Sequence, residues 1–336
     1  MEVVAPLPQA QIVETFVMNQ VHLQTVLASK ASRVVDAAKD KTVVDFGLRR
    51  MHGADAGLKS ARAFWIAGLA ATSNVLAGKV YGIPVTGTMA HSFIQSHESE
   101  LEAFRHFVRS YPETVLLVDT YDTLEGVKKV VQLSKELGDD FRVKGIRLDS
   151  GDLVSLSREA RQILDEAGLN DLIILASGGL SEQKISRILQ ANAPIDGFGV
   201  GTGLGVSEDA PSLDFAYKLT SYAGKDRIKS SSGKATLPGQ KQVFRQEENG
   251  MYSGDIVCGI EEQLSGRPLL EKVFEKGSRL DTKECELNKI REYCQNEKEK
   301  LPEFCRRLSS PEGYSVKVSD ALQERYHRAF ELIGGK

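Results

Sequence analysis

Short apolar runs rich in β-branched residues alternate along this chain with longer amphipathic stretches, which is the pattern of βαβ units. The runs predict six strands, at residues 42–46, 83–87, 114–119, 143–148, 172–176 and 197–200. The stretches between them predict helices, at residues 55–77, 98–110, 123–137, 153–167 and 181–191. Strands that alternate with helices form a parallel sheet, and six such units favour a barrel, complete or irregular, over a small open sheet.

The chain differs from this pattern on both sides. Residues 11–38 predict one helix that is apolar nearly all round, so we expect it to be buried at a domain or subunit interface. Residues 213–260 predict short strands with Gly-rich and Ser-rich turns, followed by a charged helix at 281–308 and another at 319–332. The predicted fold is α/β: an N-terminal helix over 1–38, an irregular (β/α) barrel of parallel strands over 39–215, and a second, smaller mixed α+β domain with terminal helices over 216–336.

Composition restricts the classes of protein that fit. The 336 residues are 41% hydrophobic and 26% charged, as in ordinary globular proteins, and a net charge of −3 gives no sign of a nucleic-acid partner. The four cysteines form no CxxC pair, which favours reduced thiols. No apolar run approaches the roughly 20 residues that span a bilayer, and the first ten residues do not resemble a signal peptide. We therefore expect a cytoplasmic protein without a membrane partner.

Polar residues or glycines follow every predicted strand. In parallel α/β folds the carboxyl ends of the strands converge on the active site. One polar strand end is an ordinary turn, but six in succession indicate an active site, and we expect it to bind a phosphorylated sugar. These strand-end segments are residues 45–50, 87–92, 119–120, 147–152, 177–179 and 199–202.

Glycines stand out at the last two strand ends. Gly178 and Gly179 lead into a predicted helix, and Gly199 and Gly201 accompany the last strand. Glycine lets backbone N–H groups approach a phosphate, and barrels often bind a phosphate after their last strands. The spacing fits neither GxGxxG nor a Walker loop, which disfavours a dinucleotide oxidoreductase.

Several side chains at the other strand ends have two possible roles. Arg147 and Asp149 alternate on one strand and face the same side, so they either bind an anion and hydroxyls or a metal, or form an internal salt bridge. His91 is either structural or a base or phosphoryl acceptor. Phe46 belongs to the core or forms an aromatic platform beside Arg49, which would suit a flat anionic ring.

Taken together, these motifs resemble the nicotinate phosphoribosyltransferase family, which belongs to the type II phosphoribosyltransferases. The match runs in order from about residue 5 to residue 260. The matching segments are Glu14-Thr15, Asp45-Phe46-Gly47-Leu48-Arg49-Arg50, Ser73-Asn74-Val75-Leu76-Ala77-Gly78, Gly87-Thr88-Met89-Ala90-His91-Ser92, Asp119-Thr120-Tyr121-Asp122, Arg147-Leu148-Asp149-Ser150-Gly151-Asp152, Gly199-Val200-Gly201-Thr202, and Lys229, Lys234, Pro238-Gly239 and Lys241.

The resemblance implies a reaction and a homodimer. Members join nicotinate to phosphoribosyl pyrophosphate, in NAD salvage, and couple this to ATP hydrolysis through a phosphorylated histidine, with Mg²⁺ at the pyrophosphate. The catalytic residues would be His91, the phosphorylated histidine, and Asp149. In substrate binding, Phe46 would stack on the pyridine ring, Arg49 would lie near the phosphates, and Arg147 would line the pyridine and ribose site together with Asp149. The 5′-phosphate would be held by Ser177, Gly178, Gly179, Gly199, Gly201 and Thr202, and Lys229 and Lys234 would also bind substrate.

Ser73 bears on the choice of substrate. The related nicotinamide-using family carries an aspartate at this position, which accepts from an amide and would repel a carboxylate, whereas serine can donate to nicotinate. The resemblance therefore favours the acid over the amide. Members usually begin with a longer N-terminal segment, so the resemblance also implies a shortened chain. The alternatives are an inactive or regulatory remnant that binds phosphorylated ligands, and a nicotinamide or quinolinate phosphoribosyltransferase.

Overall fold

The computed structural model describes residues 1–231, 234–281, 286–309 and 312–333, without the side chains of residues 230, 231, 234 and 235. The chain forms two compact units, a larger one over Leu23–Leu213 and a smaller one that combines Met1–His22 with Asp214–Lys336. Over these described ranges, no helix has the length and apolar character that a membrane crossing requires.

A parallel sheet of six strands organises the larger unit, in the order β2-β1-β6-β5-β4-β3. Because β2 and β3 form its edges, the sheet is a curled half-barrel, which confirms the irregular barrel expected from the sequence. The strands are β1 (Thr42–Asp45), β2 (Ala71–Thr72), β3 (Val115–Leu117), β4 (Gly145–Leu148), β5 (Ile173–Ala176) and β6 (Gly197–Val200).

Several of the helices associated with this sheet begin at a side-chain cap. Ser99, Asp122, Asp152 and Ser181 each accept a hydrogen bond from a backbone N–H in the first turn of the helix that follows. The helices are α1 (Leu7–Ala38), α2 (Ala54–Ala67), α3 (Val75–Tyr81), α4 (His91–Gln95), α5 (Glu100–Ser110), α6 (Thr123–Leu137), α7 (Leu153–Glu166), α8 (Glu182–Gln190) and α9 (Thr202–Gly205), with 3₁₀ turns at Leu48–Arg50 and Gly138–Asp140.

The core of the larger unit lies along the central strands. Ile146 and Leu148 of β4, Ile174 of β5, and Phe198 and Val200 of β6 are all at most 1% exposed. Both faces of a parallel sheet are covered, so its strands are continuous apolar runs, and such runs are recognisable in the sequence. The polar residues that follow the strands are therefore placed together at the carboxyl edge.

Two sequence predictions are wrong in the region between β1 and α4. The single helix predicted at 55–77 is interrupted, because Gly68 adopts a φ of +120° at the end of α2 and Asn74 caps a separate helix, α3. The short strand β2 lies between them. The strand predicted at 83–87 is reduced to one bridge between Thr72 and Val85. Consequently Ser73 lies in a turn after a strand rather than inside a helix.

The first helix begins at Leu7 and is buried only in part. Val26, Ala31 and Val34 in its second half are at most 7% exposed, whereas Ile12 and Phe16 in its first half are 69% and 72% exposed. Within this chain the first half of the helix is therefore exposed, and its burial at a domain or subunit interface stays a prediction.

A mixed sheet forms the centre of the smaller unit, with the order β13-β11-β12-β16. β16 runs parallel to β12 and the other pairs are antiparallel. The charged helix predicted at 281–308 is two helices, because a turn with Pro302 separates them, and residues 282–285 lie outside the described residues. The elements are β7 (Ser221–Tyr222), β8 (Lys225–Asp226), β9 (Ser230–Ser231), β10 (Lys234–Ala235), β11 (Lys241–Glu248), β12 (Met251–Gly259), β13 (Arg267–Pro268), β14 (Phe274–Glu275), β15 (Ser278–Arg279), α10 (Leu287–Glu299), α11 (Glu303–Arg306), β16 (Val316–Val318) and α12 (Asp320–Leu332).

Candidate active site

A fully buried carboxylate, Asp45, joins the ends of β1 and β2. It accepts hydrogen bonds from the Gly47 N–H and from the Thr72 hydroxyl, each at 2.7 Å, and its own carbonyl accepts the Ser73 N–H at 2.9 Å. The Thr72 hydroxyl in turn accepts the Asn74 N–H. Burial raises the pKa of Asp45. In the sequence Asp45 stands out only as part of a motif, and its signal is a carboxylate placed last in a buried strand.

Phe46 follows directly, and its position depends on a glycine of β6. The Phe46 N–H donates to the carbonyl of Val200, and a Cβ on Gly199 would lie 2.2 Å from the Phe46 ring. Gly199 was expected to help hold a phosphate, but it lies inside a buried strand, where its missing side chain makes room for the ring. Gly201 follows the strand and precedes α9.

Arg147 of β4 faces the same aromatic ring. Its guanidinium carbon lies 5.8 Å from the centroid of the Phe46 ring, and one Nη donates to the Thr88 hydroxyl. The Arg147 Nε is buried and has no hydrogen-bond partner among the described residues. Burial lowers the pKa of Arg147, although Asp149 and Asp119 oppose this, and a guanidinium remains charged. The arrangement is an aromatic face beside a half-buried cation whose buried Nε–H is available to donate a hydrogen bond.

His91 lies between the ends of β3 and β4 as the first residue of α4. Its Nδ1 is 3.1 Å from the Thr120 hydroxyl, and its Nε2 is 3.7 Å from a carboxylate oxygen of Asp149. The other oxygen of Asp149 accepts from the Ser177 hydroxyl. The side chain of His91 is 41% exposed, so the ring is oriented at both nitrogens and still accessible for accepting a proton or a phosphoryl group.

Asp119, at the end of β3, was not singled out from the sequence as a site residue. Its Oδ2 accepts from the Asp149 N–H and from the Ser150 hydroxyl, both at 2.8 Å. Its Oδ1 is buried and lacks a hydrogen-bond partner within the described ranges. The chain as far as it is described contains no group of three or more His, Cys, Asp or Glu that could hold a metal. Mg²⁺ commonly binds one or two carboxylates together with substrate phosphates, and the free Asp119 oxygen fits that mode.

A glycine turn follows β5. Gly178 has a φ of +93°, and a Cβ there would lie 1.7 Å from the carbonyl oxygen of Asp149; Gly179 has a φ of +58°. Ser177 is buried and its N–H donates to the carbonyl of Leu148. The turn leads into α8, whose N-terminus favours an anion.

The second glycine loop lies against the first. A Cβ on Gly203, in α9, would lie 3.0 Å from the carbonyl oxygen of Leu180, which follows the Gly178-Gly179 turn. Thr202 begins α9. The structure thus brings together the two loops that were expected to bind a phosphate.

Three of the expected site residues remain apart from this cluster or undescribed. Arg49 lies exposed on the 3₁₀ turn Leu48–Arg50, near enough to Arg147 for its charge to contribute to the lowering of the Arg147 pKa. Lys229 belongs to the smaller unit, and the side chain of Lys234 lies outside the described residues. The candidate site is therefore described from the larger unit alone.

Comparisons of this chain with known proteins all indicate the same family. The sequence model described as the nicotinate phosphoribosyltransferase (NAPRTase) family matches residues 42–246, and that of the nicotinate phosphoribosyltransferase C-terminal domain matches residues 260–326. Together the two models cover both units of the chain.

Individual relatives carry the same description. A nicotinate phosphoribosyltransferase of Mycobacterium tuberculosis is 53% identical over 96% of this chain and 70% of its own length. One of Bacillus subtilis is 40% identical over 99% of this chain and 74% of its own length. The crystal structure of human nicotinic acid phosphoribosyltransferase superimposes with a TM-score of 0.84 and 26% identity, covering 96% of this chain and 78% of the human one.

Proposed function

Because this chain belongs to the nicotinate phosphoribosyltransferase family, we propose that it joins nicotinate to phosphoribosyl pyrophosphate and releases nicotinate mononucleotide and pyrophosphate, a step of NAD biosynthesis. One observation supports this most directly: the half-buried guanidinium of Arg147 faces the Phe46 ring and keeps a buried Nε that has no hydrogen-bond partner among the described residues. A flat aromatic anion satisfies both groups at once, since its ring stacks and its carboxylate accepts the free N–H.

Ser73 completes the recognition of the acid. No described residue makes a hydrogen bond to its hydroxyl, while its backbone is fixed to Asp45. A hydroxyl can donate to a carboxylate, whereas an aspartate at this position would repel it. In this proposal the acid is bound between Phe46, Arg147 and Ser73.

The transfer itself needs no protein nucleophile. The lone pair of the pyridine nitrogen forms the bond to C1 of the ribose, while the bond from C1 to the pyrophosphate oxygen breaks and its electron pair leaves with pyrophosphate. Positive charge develops on the ribose, and the carboxylate of Asp149 is held by Ser177 where it can stabilise that charge. The two glycine loops hold the 5′-phosphate, which fixes C1 relative to the ring nitrogen.

Mg²⁺ is the cofactor that we propose for the pyrophosphate group, whose leaving charge it would neutralise. The buried Asp119 Oδ1, for which the described residues supply no partner, supports this assignment. Asp119 also fixes the backbone of Asp149 through the Asp149 N–H, so one side chain would serve both the metal and the ribose site.

ATP is the proposed co-substrate, and His91 the proposed phosphoryl acceptor. A ring nitrogen of His91 would attack the γ-phosphorus, and the bond to the ADP oxygen would break. Support comes from the position of the ring, which is 41% exposed and oriented by Thr120 and Asp149. Incubation with γ-³²P-ATP should label the wild-type chain but not His91→Ala. His97→Ala, a control whose ring hydrogen-bonds to Ser96 and to the Phe93 carbonyl, should be labelled like the wild type. Equal labelling of His91→Ala would exclude this role.

Turnover with three pyridines tests the proposed reaction. The purified chain is incubated with phosphoribosyl pyrophosphate, Mg²⁺ and ATP, and with nicotinate, nicotinamide or quinolinate. We expect a mononucleotide from nicotinate and little from the other two. A preference for nicotinamide or quinolinate would contradict the assignment of the substrate.

We also propose that the chain acts as a homodimer in the cytoplasm. The exposed apolar residues Ile12 and Phe16 of α1 support an interface, because large exposed apolar side chains often mark one. Light scattering of the purified chain should give twice the monomer mass. The free thiols of Cys258, Cys294 and Cys305 fit a reducing compartment.

A further inference from the structure

A buried lysine in the first helix connects the two glycine loops. Lys30 is 4% exposed, and lysine is almost never buried so deeply unless it is paired. Its Nζ donates to Asp209 Oδ1 at 2.5 Å and lies 2.7 Å from Glu182 Oε2. Arg33, one turn further along α1, donates to the other oxygen of Glu182 at 3.1 Å. We call Lys30, Arg33, Glu182 and Asp209 the α1 ion cluster.

Both acidic members of the cluster lie next to a glycine loop. Glu182 is the first residue of α8, three positions after Gly179, and is completely buried. Asp209 lies four residues beyond α9, the helix that begins at Thr202. Lys30 therefore joins the segments that follow the two glycine loops, and the loops themselves approach each other closely, since a Cβ on Gly203 would lie 3.0 Å from the Leu180 carbonyl oxygen.

A contribution to the stability of the folded chain does not by itself explain why such a cluster is present. Removing charges from water is costly, so a buried ion pair adds little net stability compared with apolar residues of the same volume. A buried pair can instead fix one arrangement of the elements that it joins. Here the pKa of Asp209 is lowered, because Lys30 outweighs the effect of partial burial, so the contact is made by the charged carboxylate.

We propose that Lys30 is a positioning residue for the 5′-phosphate, which sets the separation of the two glycine loops by pairing with Glu182 and Asp209 at the same time. The inference rests on the proposed function, in which these loops bind the 5′-phosphate of phosphoribosyl pyrophosphate. In the proposed function nicotinate binds at the ends of β1, β2 and β4, which carry no member of the α1 ion cluster, so we expect the cluster to affect phosphoribosyl pyrophosphate much more than nicotinate.

The test compares Lys30→Met and Asp209→Asn with a matched control, Arg161→Met. Arg161 is a cation of the larger unit too, although only half buried, and it binds Asp165 and the carbonyls of Leu169 and Leu172, at the opposite end of β5. Ribose 5-phosphate binding is measured by calorimetry, and the KM values for both substrates are measured with the melting temperature.

We expect Lys30→Met to weaken ribose 5-phosphate binding and to raise the KM for phosphoribosyl pyrophosphate by about tenfold to a hundredfold, the loss that a small misplacement causes. The KM for nicotinate should stay within about twofold. Asp209→Asn should raise the phosphoribosyl pyrophosphate KM by only about threefold, since the Asp209 side chain is itself half exposed. Arg161→Met should change only the melting temperature.

Three results would overturn the inference: equal changes in both KM values, variants of Lys30 and Asp209 that behave like Arg161→Met, or a wild-type chain that does not bind ribose 5-phosphate. If Lys30→Met does not fold, Asp209→Asn decides alone, since it keeps Lys30 paired with Glu182. A wild-type chain that binds ribose 5-phosphate but forms no nucleotide would refute the proposed function, and the binding measurements would still decide the role of Lys30.

Discussion

Replacing Gly199 with alanine should displace the ring on which nicotinate is proposed to stack. The new Cβ would lie 2.2 Å from Cε2 and 2.5 Å from Cδ2 of Phe46. Carbon atoms in contact prefer about 3.5–4.0 Å, so the ring must move by about 1.5 Å. The backbone of Gly199 cannot retreat, because β6 is paired with β1 on one side and β5 on the other.

The size of the effect follows from the lost stacking. A well-placed aromatic pair contributes about 0.5–1.5 kcal/mol beyond its buried area, so the KM for nicotinate should rise by about twofold to tenfold. The strain of overpacking should also lower the free energy of unfolding by about 1–3 kcal/mol. Steady-state kinetics with each substrate varied in turn, together with thermal unfolding, measure both effects, and the KM for phosphoribosyl pyrophosphate should not change.

Introducing Gly199→Ala into a variant without the Phe46 ring distinguishes an effect on the ring from an effect on strand β6. In Phe46→Leu the ring is absent, so adding Gly199→Ala should change the KM for nicotinate no further. Gly313→Ala serves as the control, because, apart from its two chain neighbours, no described residue has an atom within 4 Å of the Cβ added there. The reasoning would be refuted if Gly199→Ala folded normally with an unchanged nicotinate KM, or if it had the same effect in both backgrounds.

Three further substitutions test other parts of the structure. Gly178→Ala forces a Cβ to within 1.7 Å of the Asp149 carbonyl at a φ of +93°, so phosphoribosyl pyrophosphate binding and the melting temperature should both fall; normal values of both would contradict the glycine turn. Ser73→Asp should shift the ratio of kcat/KM values from nicotinate towards nicotinamide, and an unchanged ratio would contradict the role of its hydroxyl. Burial by itself would raise the pKa of Glu297, but a hydrogen bond from Arg267 contributes to a net lowering of that pKa from its ordinary value of 4.5. This stabilisation is present above the pKa of Glu297 in the unfolded chain and is lost as pH falls through its pKa in the folded chain. Glu297→Gln should therefore lower the free energy of unfolding, measured by denaturant titration, by about 2 kcal/mol at pH 7 and by progressively less below pH 4.5. A loss of stability that does not depend on pH would contradict this role of Glu297.

The sequence was sufficient for elements whose boundaries are local. The apolar run at 197–200 is β6 with the same limits, and the helix at 123–137 is α6, capped by Asp122. The error at 55–77 arose because apolar periodicity continues through Gly68, while the chain turns there with a positive φ. The signals for the break were Gly68 and the capping residue Asn74, both of which are visible in the sequence.

The candidate site was predictable in its residue types and less so in its contacts. Strand ends placed Arg147, Asp149 and His91 together, because the carboxyl ends of parallel strands share one edge. The role of Gly199 as space for a ring depends on packing between β6 and the residue after β1, which no local pattern encodes. The buried pairing of Lys30 joins positions 152 residues or more apart and was equally inaccessible.

If the strand-end cluster transfers phosphoribosyl groups to nicotinate, both products must form together, so the decisive experiment measures them simultaneously. The purified chain receives nicotinate, phosphoribosyl pyrophosphate, Mg²⁺ and ATP, and nicotinate mononucleotide and pyrophosphate are quantified over time. We expect the two to appear at equal rates, and Asp149→Asn to slow both by about a hundredfold or more while the fold is retained. Absence of the mononucleotide with the wild-type chain, or a rate in Asp149→Asn equal to that of the wild type, would contradict the claim.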